Sequence, residues 1–209
     1  MNDYRVSVDE ETLQPYLRDA LTEYLDCTPD SPPCCFAVLL GHLSDGQCTV
    51  RDIKYGANVK SSEGQACAEF DEVIVPCFGK GYAHQRRGFW CDSKDLLRIY
   101  REANDEGLDI LGSIHLHPDW HVIGPEGERA LRIGQWPTPM DNHMFVNTQW
   151  PVNMICYIQG TGSGPRATVA AWSTSEEKGA TMPLTLDWRG WDGAERSSNE
   201  IDFEMMAVR

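Results

Sequence analysis

The 209-residue chain has little basic charge: 18 Lys and Arg stand against 32 Asp and Glu, a formal charge of −14. Phosphate binding needs basic surface, so this balance argues against nucleic acid as a partner, and it disfavours anionic membranes as well. It is compatible with a protein partner that offers a basic face. Long apolar runs are missing too. The run Cys34–Leu40 has seven residues, far short of the roughly 20 that a membrane-spanning helix needs. Met1-Asn2-Asp3-Tyr4-Arg5 does not lead from a basic into an apolar region, so no secretory signal is expected. Cys27, Cys34, Cys35, Cys48, Cys67, Cys77, Cys91 and Cys156 include no Cys-x-x-Cys pair, which excludes a zinc ribbon or a thioredoxin-like motif. Cys34, Cys35 and Cys156 lie in apolar runs, where a free cysteine acts as a small hydrophobe. A reducing cytoplasm is the expected compartment. No internal repeat is visible.

What the chain does have is ordinary globular composition, 41% hydrophobic and 24% charged, and a length that suits one domain with a substantial core. Leu13, Tyr16, Leu17, Ala20, Leu21, Tyr24 and Leu25 recur at helical intervals within Glu11–Asp26. Asp30-Ser31-Pro32-Pro33 then breaks the chain, and Cys34–Leu43 reads as a strand buried on both faces. Ser44-Asp45-Gly46 reads as a hairpin turn into a second strand, Cys48–Tyr55. Val59–Ala68 is polar and reads as a loop, and Val73-Ile74-Val75 as another short strand. Cys77–Asp92 is glycine-rich and locally basic through His84, Arg86 and Arg87. It reads either as a connecting loop or as a grip for a partner's extended tail or an acidic ligand.

Ser93 suits the N-cap of a helix over Lys94–Asn104 with Leu96, Leu97, Ile99 and Tyr100 turned inward, and Gly107 ends it. Val152–Gln159 reads as an apolar strand, Gly160–Pro165 as a turn-forming loop, and Arg166–Ser173 as an antiparallel partner. Beyond Ser175 the chain turns polar. Trp188 and Trp191 suggest that residues 176–209 dock in part on a domain spanning residues 1–175, while Gly193–Glu200 shows no core pattern.

The chemistry concentrates in Ile114–Asp141. Leu108–Ser113 reads as a short buried strand that runs into Ile114-His115-Leu116-His117-Pro118. Side chains two apart on a strand share a face, which sets His115 and His117 about 6.5–7 Å apart at Cα. Both rings can then converge on one ion with zinc–nitrogen bonds of about 2.0–2.1 Å. Thr138-Pro139-Met140-Asp141 reads as a helix start, with Thr138 at the N-cap and Pro139 at the first helical position. The helix, roughly Met140–Gln149, would hold Asp141 rigidly as a third ligand and leave a fourth position for water.

The order His-x-His-Pro followed by Pro-Thr-x-x-Asp resembles the JAMM (MPN+) metalloproteases, which include deubiquitinase-type isopeptidases and bacterial hydrolases of ubiquitin-like proteins. Cys34–Gly41 resembles that family's first core strand, Asp95–Gly107 the helix before the histidine strand, and Val152–Gln159 the strand after the aspartate helix. The resemblance covers about residues 10–175. It implies an α/β (α+β) fold with a mixed sheet packed between helices, and a zinc held by His115, His117 and Asp141. It also implies an oxyanion-stabilising hydroxyl at Thr138, and as partner a ubiquitin-like protein or its conjugate.

Two departures stand against it. The family's first strand opens with a glutamate that takes the proton from water; here that position is Cys34. The family also keeps the connection after the histidine-proline short, whereas here Asp119–Pro137 is an insertion of nineteen residues. Trp120 and Trp136 frame this insertion, either lining a groove or lid or anchoring it to the body, and Glu126–Arg132 reads as a turn or two of helix. Cys34 is a poor base; placed close to the zinc, its thiolate would instead close the site as a fourth ligand. Asp30, Glu69, Glu72, Glu126 and Glu128 are alternative proton acceptors, and His121 a further ligand or shuttle. The expected activity is therefore a zinc-dependent hydrolase of a peptide or isopeptide bond at the C-terminus of a ubiquitin-like protein. The alternatives are a non-catalytic module that binds such a protein or builds a complex, and a hydrolase of a small-molecule amide or carrier-protein conjugate.

Overall fold

Buried positions along the strands decide which face of the sheet each helix covers. The computed structural model describes residues 5–130, 136–175, 180–190 and 192–204. Strand β1 (Arg5–Asp9) leads straight into α1 (Glu10–Leu25), whose Leu13, Tyr16, Leu17, Ala20 and Leu21 are buried at three- and four-residue spacing. The hairpin β2 (Phe36–Ser44) and β3 (Gln47–Lys54) turns at Asp45-Gly46, both with positive φ. After it come α2 (Gly64–Glu69), a π-helical turn (Phe70–Ile74), α3 (Val75–Phe78) and a 3₁₀ turn (Lys80–Ala83). Then follow α4 (Ser93–Asp105), β4 (Asp109–Pro118), α5 (Trp120–Ile123), a 3₁₀ turn (Glu126–Glu128) and α6 (Pro139–Thr148). The chain closes with β5 (Val152–Thr161), β6 (Gly164–Ser175), β7 (Ala180–Pro183), β8 (Thr185–Arg189), β9 (Glu195–Ser198) and β10 (Glu200–Glu204).

These strands make one mixed sheet in the order β10-β6-β5-β4-β2-β3-β1-β8-β9, with β7 also on β6. β4 and β5 run parallel, as do β1–β3 and β1–β8; the other pairs are antiparallel. Helix α1 covers one face, where Leu13, Tyr16 and Leu17 share a core with Leu111, Ile114 and Leu116 of β4. The opposite face carries α4, with Ile99 and Ala103 on Val38 and Leu40, and α6, with Phe145 on Ile155 and Trp172. The sheet curls until Trp188 of β8 meets Phe203 of β10, ring centroids 6.0 Å apart. The fold is thus a mixed α/β single domain.

One irregularity positions the site. Val38 pairs with Ser113 and Leu39 with Gly112, but Leu40 pairs with Ile110, so Leu111 is an extra residue opposite the Leu39–Leu40 step. Such a bulge reverses which face the following residues occupy. Leu111, Ile114 and Leu116 therefore point toward α1, while His115 and His117 emerge beneath α6.

Several local expectations give way. Val73–Val75 is helical: the buried positions are Ala66, Phe70 and Ile74, a four-residue period that outweighs the β-branched trio. The expected loop Val59–Ala68 correspondingly ends in α2. Asp92, not Ser93, caps α4, its carboxylate accepting from the backbone N–H groups of Lys94 (2.7 Å) and Asp95 (3.2 Å). On α4 the inward residues are Ile99 and Ala103, with Leu96 half-buried; Leu97 and Tyr100 are exposed. The β5–β6 connection is a two-residue turn, Gly162-Ser163, tighter than the loop expected. The polar tail is woven into the sheet, because β8 pairs with β1 and β10 with β6. Trp191 lies outside the described residues, as does the end of the helix expected over Glu126–Arg132. Among the described residues all eight cysteines are free, and no helix is long and apolar enough to cross a membrane.

At Gly112, between β2 and β5, an added Cβ would collide with the Val152 carbonyl. Gly112→Ala is expected to destabilise the fold by about 3 kcal/mol, the upper end of overpacking costs, read as a lower denaturation midpoint at unchanged slope.

Candidate metal centre

The two histidines converge as their spacing on β4 predicts: His115 Nε2 and His117 Nε2 are 3.1 Å apart. Asp141, in the first turn of α6, meets them with Oδ1 3.3 Å from His115 Nε2 and Oδ2 3.2 Å from His117 Nε2. For bonds of about 2.0–2.1 Å at tetrahedral angles, donor atoms stand about 3.3 Å apart. The donor set therefore fits a metal ion. Two imidazole nitrogens and a carboxylate facing one point at these distances can share few protons, and a cation satisfies all three together.

The helix cap fixes the carboxylate. Thr138 Oγ1 accepts from the Asp141 backbone N–H (3.0 Å), and Asp141 Oδ2 accepts from the Thr138 backbone N–H (2.7 Å) and hydroxyl (2.8 Å). This is a capping box with Asp141 in the glutamate's place, and Pro139 opens the helix as expected. It gives Thr138 a different task from oxyanion stabilisation. Its hydroxyl is fully buried and its proton goes to Asp141, so it holds the ligand.

His117 and Asp141 are both buried. Burial keeps the His117 imidazole below its ordinary value, against the pull of the Asp141 charge, so the ring is neutral and ready to donate a lone pair. Burial would raise the Asp141 carboxyl, but the two facing imidazoles outweigh it and hold it well below the usual carboxylate range.

His115 and Asp141 open onto a cavity of about 600 Å³, whose walls include Phe36, Phe89, Trp90 and Met144. Cys34 lines the same cavity but does not join the ligand group, which among the described residues is His115, His117 and Asp141 alone. Its sulfur accepts from Asn58 Nδ2 at 3.0 Å, and burial pushes its thiol up, so it is a neutral wall group rather than a fourth ligand or a base. Of the alternative carboxylates, Asp30, Glu72 and Glu126 are exposed, as is His121. Glu69 lines the cavity and pairs with His143 at 3.2 Å. Glu128 is buried beside the site.

The framing tryptophans separate. Trp120 stacks on His117, with centroids 4.4 Å apart, whereas Trp136 is exposed and touches Trp172. The basic residues of Cys77–Asp92 face the chain itself: Arg86 donates to the Pro32 carbonyl and pairs with Glu23, and Arg87 donates to the carbonyls of Pro29 and Ile123. Sequence reasoning missed Lys60. Its buried ammonium donates to the carbonyls of Tyr82, His84 and Arg87, and burial lowers it to about 8. A lone lysine in a polar stretch carries no signal for this; only the loop's need for a donor reveals it.

No protein-family model matches the chain, nor does any curated protein. The centre therefore stands on its own geometry.

Equilibrium dialysis against zinc or cobalt is expected to find one metal per chain, lost in His117→Ala and in Asp141→Ala. Because the His117 ring stays neutral below the ordinary imidazole range, binding should persist through about pH 6.5 and fail only in more acid solution. Equal metal content in both variants and wild type would exclude the site.

Proposed function

We propose that the protein is a zinc-dependent hydrolase of a peptide or isopeptide bond, with the C-terminus of a ubiquitin-like protein as the acyl side. One observation carries this reading: three ligands are fixed by the chain, and two of them, His115 and Asp141, face a cavity large enough for a substrate. That is the open arrangement of a catalytic rather than a structural zinc site. When bound, zinc supplies a water acidified from a pKa of about 16 toward 7 and polarises the scissile carbonyl. The chain's own residues hold and orient. Thr138 locks Asp141, Trp120 and Tyr157 pack against the His117 ring from two sides, and the aromatic walls exclude water from the bond.

The order His-x-His-Pro and Pro-Thr-x-x-Asp supports the JAMM-type assignment, and the acidic surface suits a partner with a basic face. The second reading, a non-catalytic module that binds a ubiquitin-like protein, draws on Cys34, a neutral thiol where a proton acceptor would stand.

Both are separable by one substitution. General acid–base catalysis is worth about 10²–10⁴-fold, so Cys34→Glu should raise cleavage of a peptide- or isopeptide-linked ubiquitin-like substrate by a factor in that range. His117→Ala should abolish it in either background. Zinc-loaded wild type and Cys34→Glu proteins that both leave such substrates intact would set the hydrolase reading aside in favour of the binding module.

A further inference from the structure

Four polar atoms around His117 are buried without a hydrogen bond of ordinary geometry: His117 Nδ1, Trp120 Nε1, Glu128 Oε2 and Tyr157 Oη. Two of them belong to the insertion that follows the histidine strand, and burying such groups unpaired is costly. The start of that insertion is no loose flap. Asp119 accepts from Tyr24 Oη (2.6 Å) and from the Gly160 backbone N–H, Arg87 holds the Ile123 carbonyl (2.6 Å), and Arg129 holds that of Gly124 (2.9 Å). So anchored, residues 119–130 press the Trp120 ring against His117 at an interplanar angle of 28°.

Glu128 sits behind that ring. Its Oε1 accepts from Tyr82 Oη at 2.8 Å, and its carboxylate neighbours the Trp120 indole. Tyr82 in turn joins His117, Trp120 and Asp141 in lining a small cavity of about 70 Å³ beside the triad. The geometry points to Glu128 as a positioning residue of the metal centre: with Tyr82 it braces Trp120 against His117, and the insertion is the centre's outer layer. This rests on the triad being a metal site, and it adds a carboxylate that no ligand pattern in the sequence contains. A buried acid carries a desolvation burden that an apolar group in its place would not. Outer-layer groups of this kind are worth about 10–100-fold in metal affinity.

The test is zinc affinity by competition with a chromophoric chelator, together with the visible spectrum of the cobalt-substituted protein. Glu128→Gln removes the charge, Tyr82→Phe removes the hydroxyl, and Glu126→Gln, at an exposed position two residues earlier, is the control. The expected result is affinity about 10-fold or more weaker in Glu128→Gln and in Tyr82→Phe, with a shifted cobalt spectrum, unchanged metal-free melting, and wild-type affinity in Glu126→Gln. The Glu128→Gln/Tyr82→Phe pair should lose less than the two single losses combined, because the two groups act through one bond. Wild-type affinity and spectrum in both single variants would overturn the assignment of Glu128 while leaving the metal site intact. A wild type that binds no metal would overturn both. If Glu128→Gln fails to fold, Tyr82→Phe alone decides.

Discussion

Everything at this centre depends on the bond between Asp141 Oδ2 and Thr138, whose backbone N–H and hydroxyl both donate to that one oxygen. A helix start leaves its first N–H groups without partners, and a capping side chain satisfies them. Here the same bonds also immobilise a ligand. With one carboxylate oxygen committed to the cap, Oδ1 stands 3.3 Å from His115 Nε2. Hydrogen bonds to a charged group contribute about 1.5–3 kcal/mol each, so two of them outweigh the roughly 0.5–1.5 kcal/mol that immobilising a side chain costs. Helix geometry and ligand geometry are thus one constraint.

The histidines answer to a different constraint, the bulge at Leu111. A strand offers only two faces, and one extra residue exchanges them. Without it the imidazoles would point into the α1 core, among Leu13, Tyr16 and Leu17, where no carboxylate waits. The bulge lies next to Gly112, where the β5 backbone at Val152 leaves no room for a side chain. Parallel pairing of β4 with β5 completes the arrangement. It makes the chain between these strands cross over, and that crossover carries both the insertion and α6 onto the histidine face.

These two constraints explain what could be read from the residues and what could not. The His-x-His pair on one strand face and the Thr-Pro helix start with Asp141 in its first turn follow from local periods and cap signals, which are visible in a string of letters; their convergence is made by the bulge and the crossover. The hairpin at Asp45-Gly46 and the helix Glu10–Leu25 are legible for the same reason. Tertiary contacts decided the rest. The helical run through Val73 exists because Phe70 and Ile74 pack on Tyr82 and Met140, far along the chain. The tail strands β8 and β10 have few buried residues of their own and take their order from β1 and β6. Lys60 could not be found at all by pattern, and Glu128, one of five candidate acceptors, could not be told from its exposed neighbour Glu126. Each is a charged residue in a polar stretch, and only the fold shows that its surroundings exclude water.

Cys34 and Glu128 bear on the proposed reading from different positions around the His115, His117 and Asp141 group. A glutamate at the Cys34 position would place a charge on the wall of the substrate cavity, in reach of a reacting water; the thiol there is neutral and bonded to Asn58. The carboxylate that the chain buries beside the triad, Glu128, lies instead against Trp120 and Tyr82. A charge in front of the ligands acts on the reaction, whereas a charge behind them acts on the ligands. On the cavity side the carboxylate present is Glu69, which is paired with His143 rather than set at the Cys34 position. On the proposed reading, turnover would draw chiefly on the metal's polarisation and on the fit of the aromatic cavity, because the neutral Cys34 thiol supplies no base at its position.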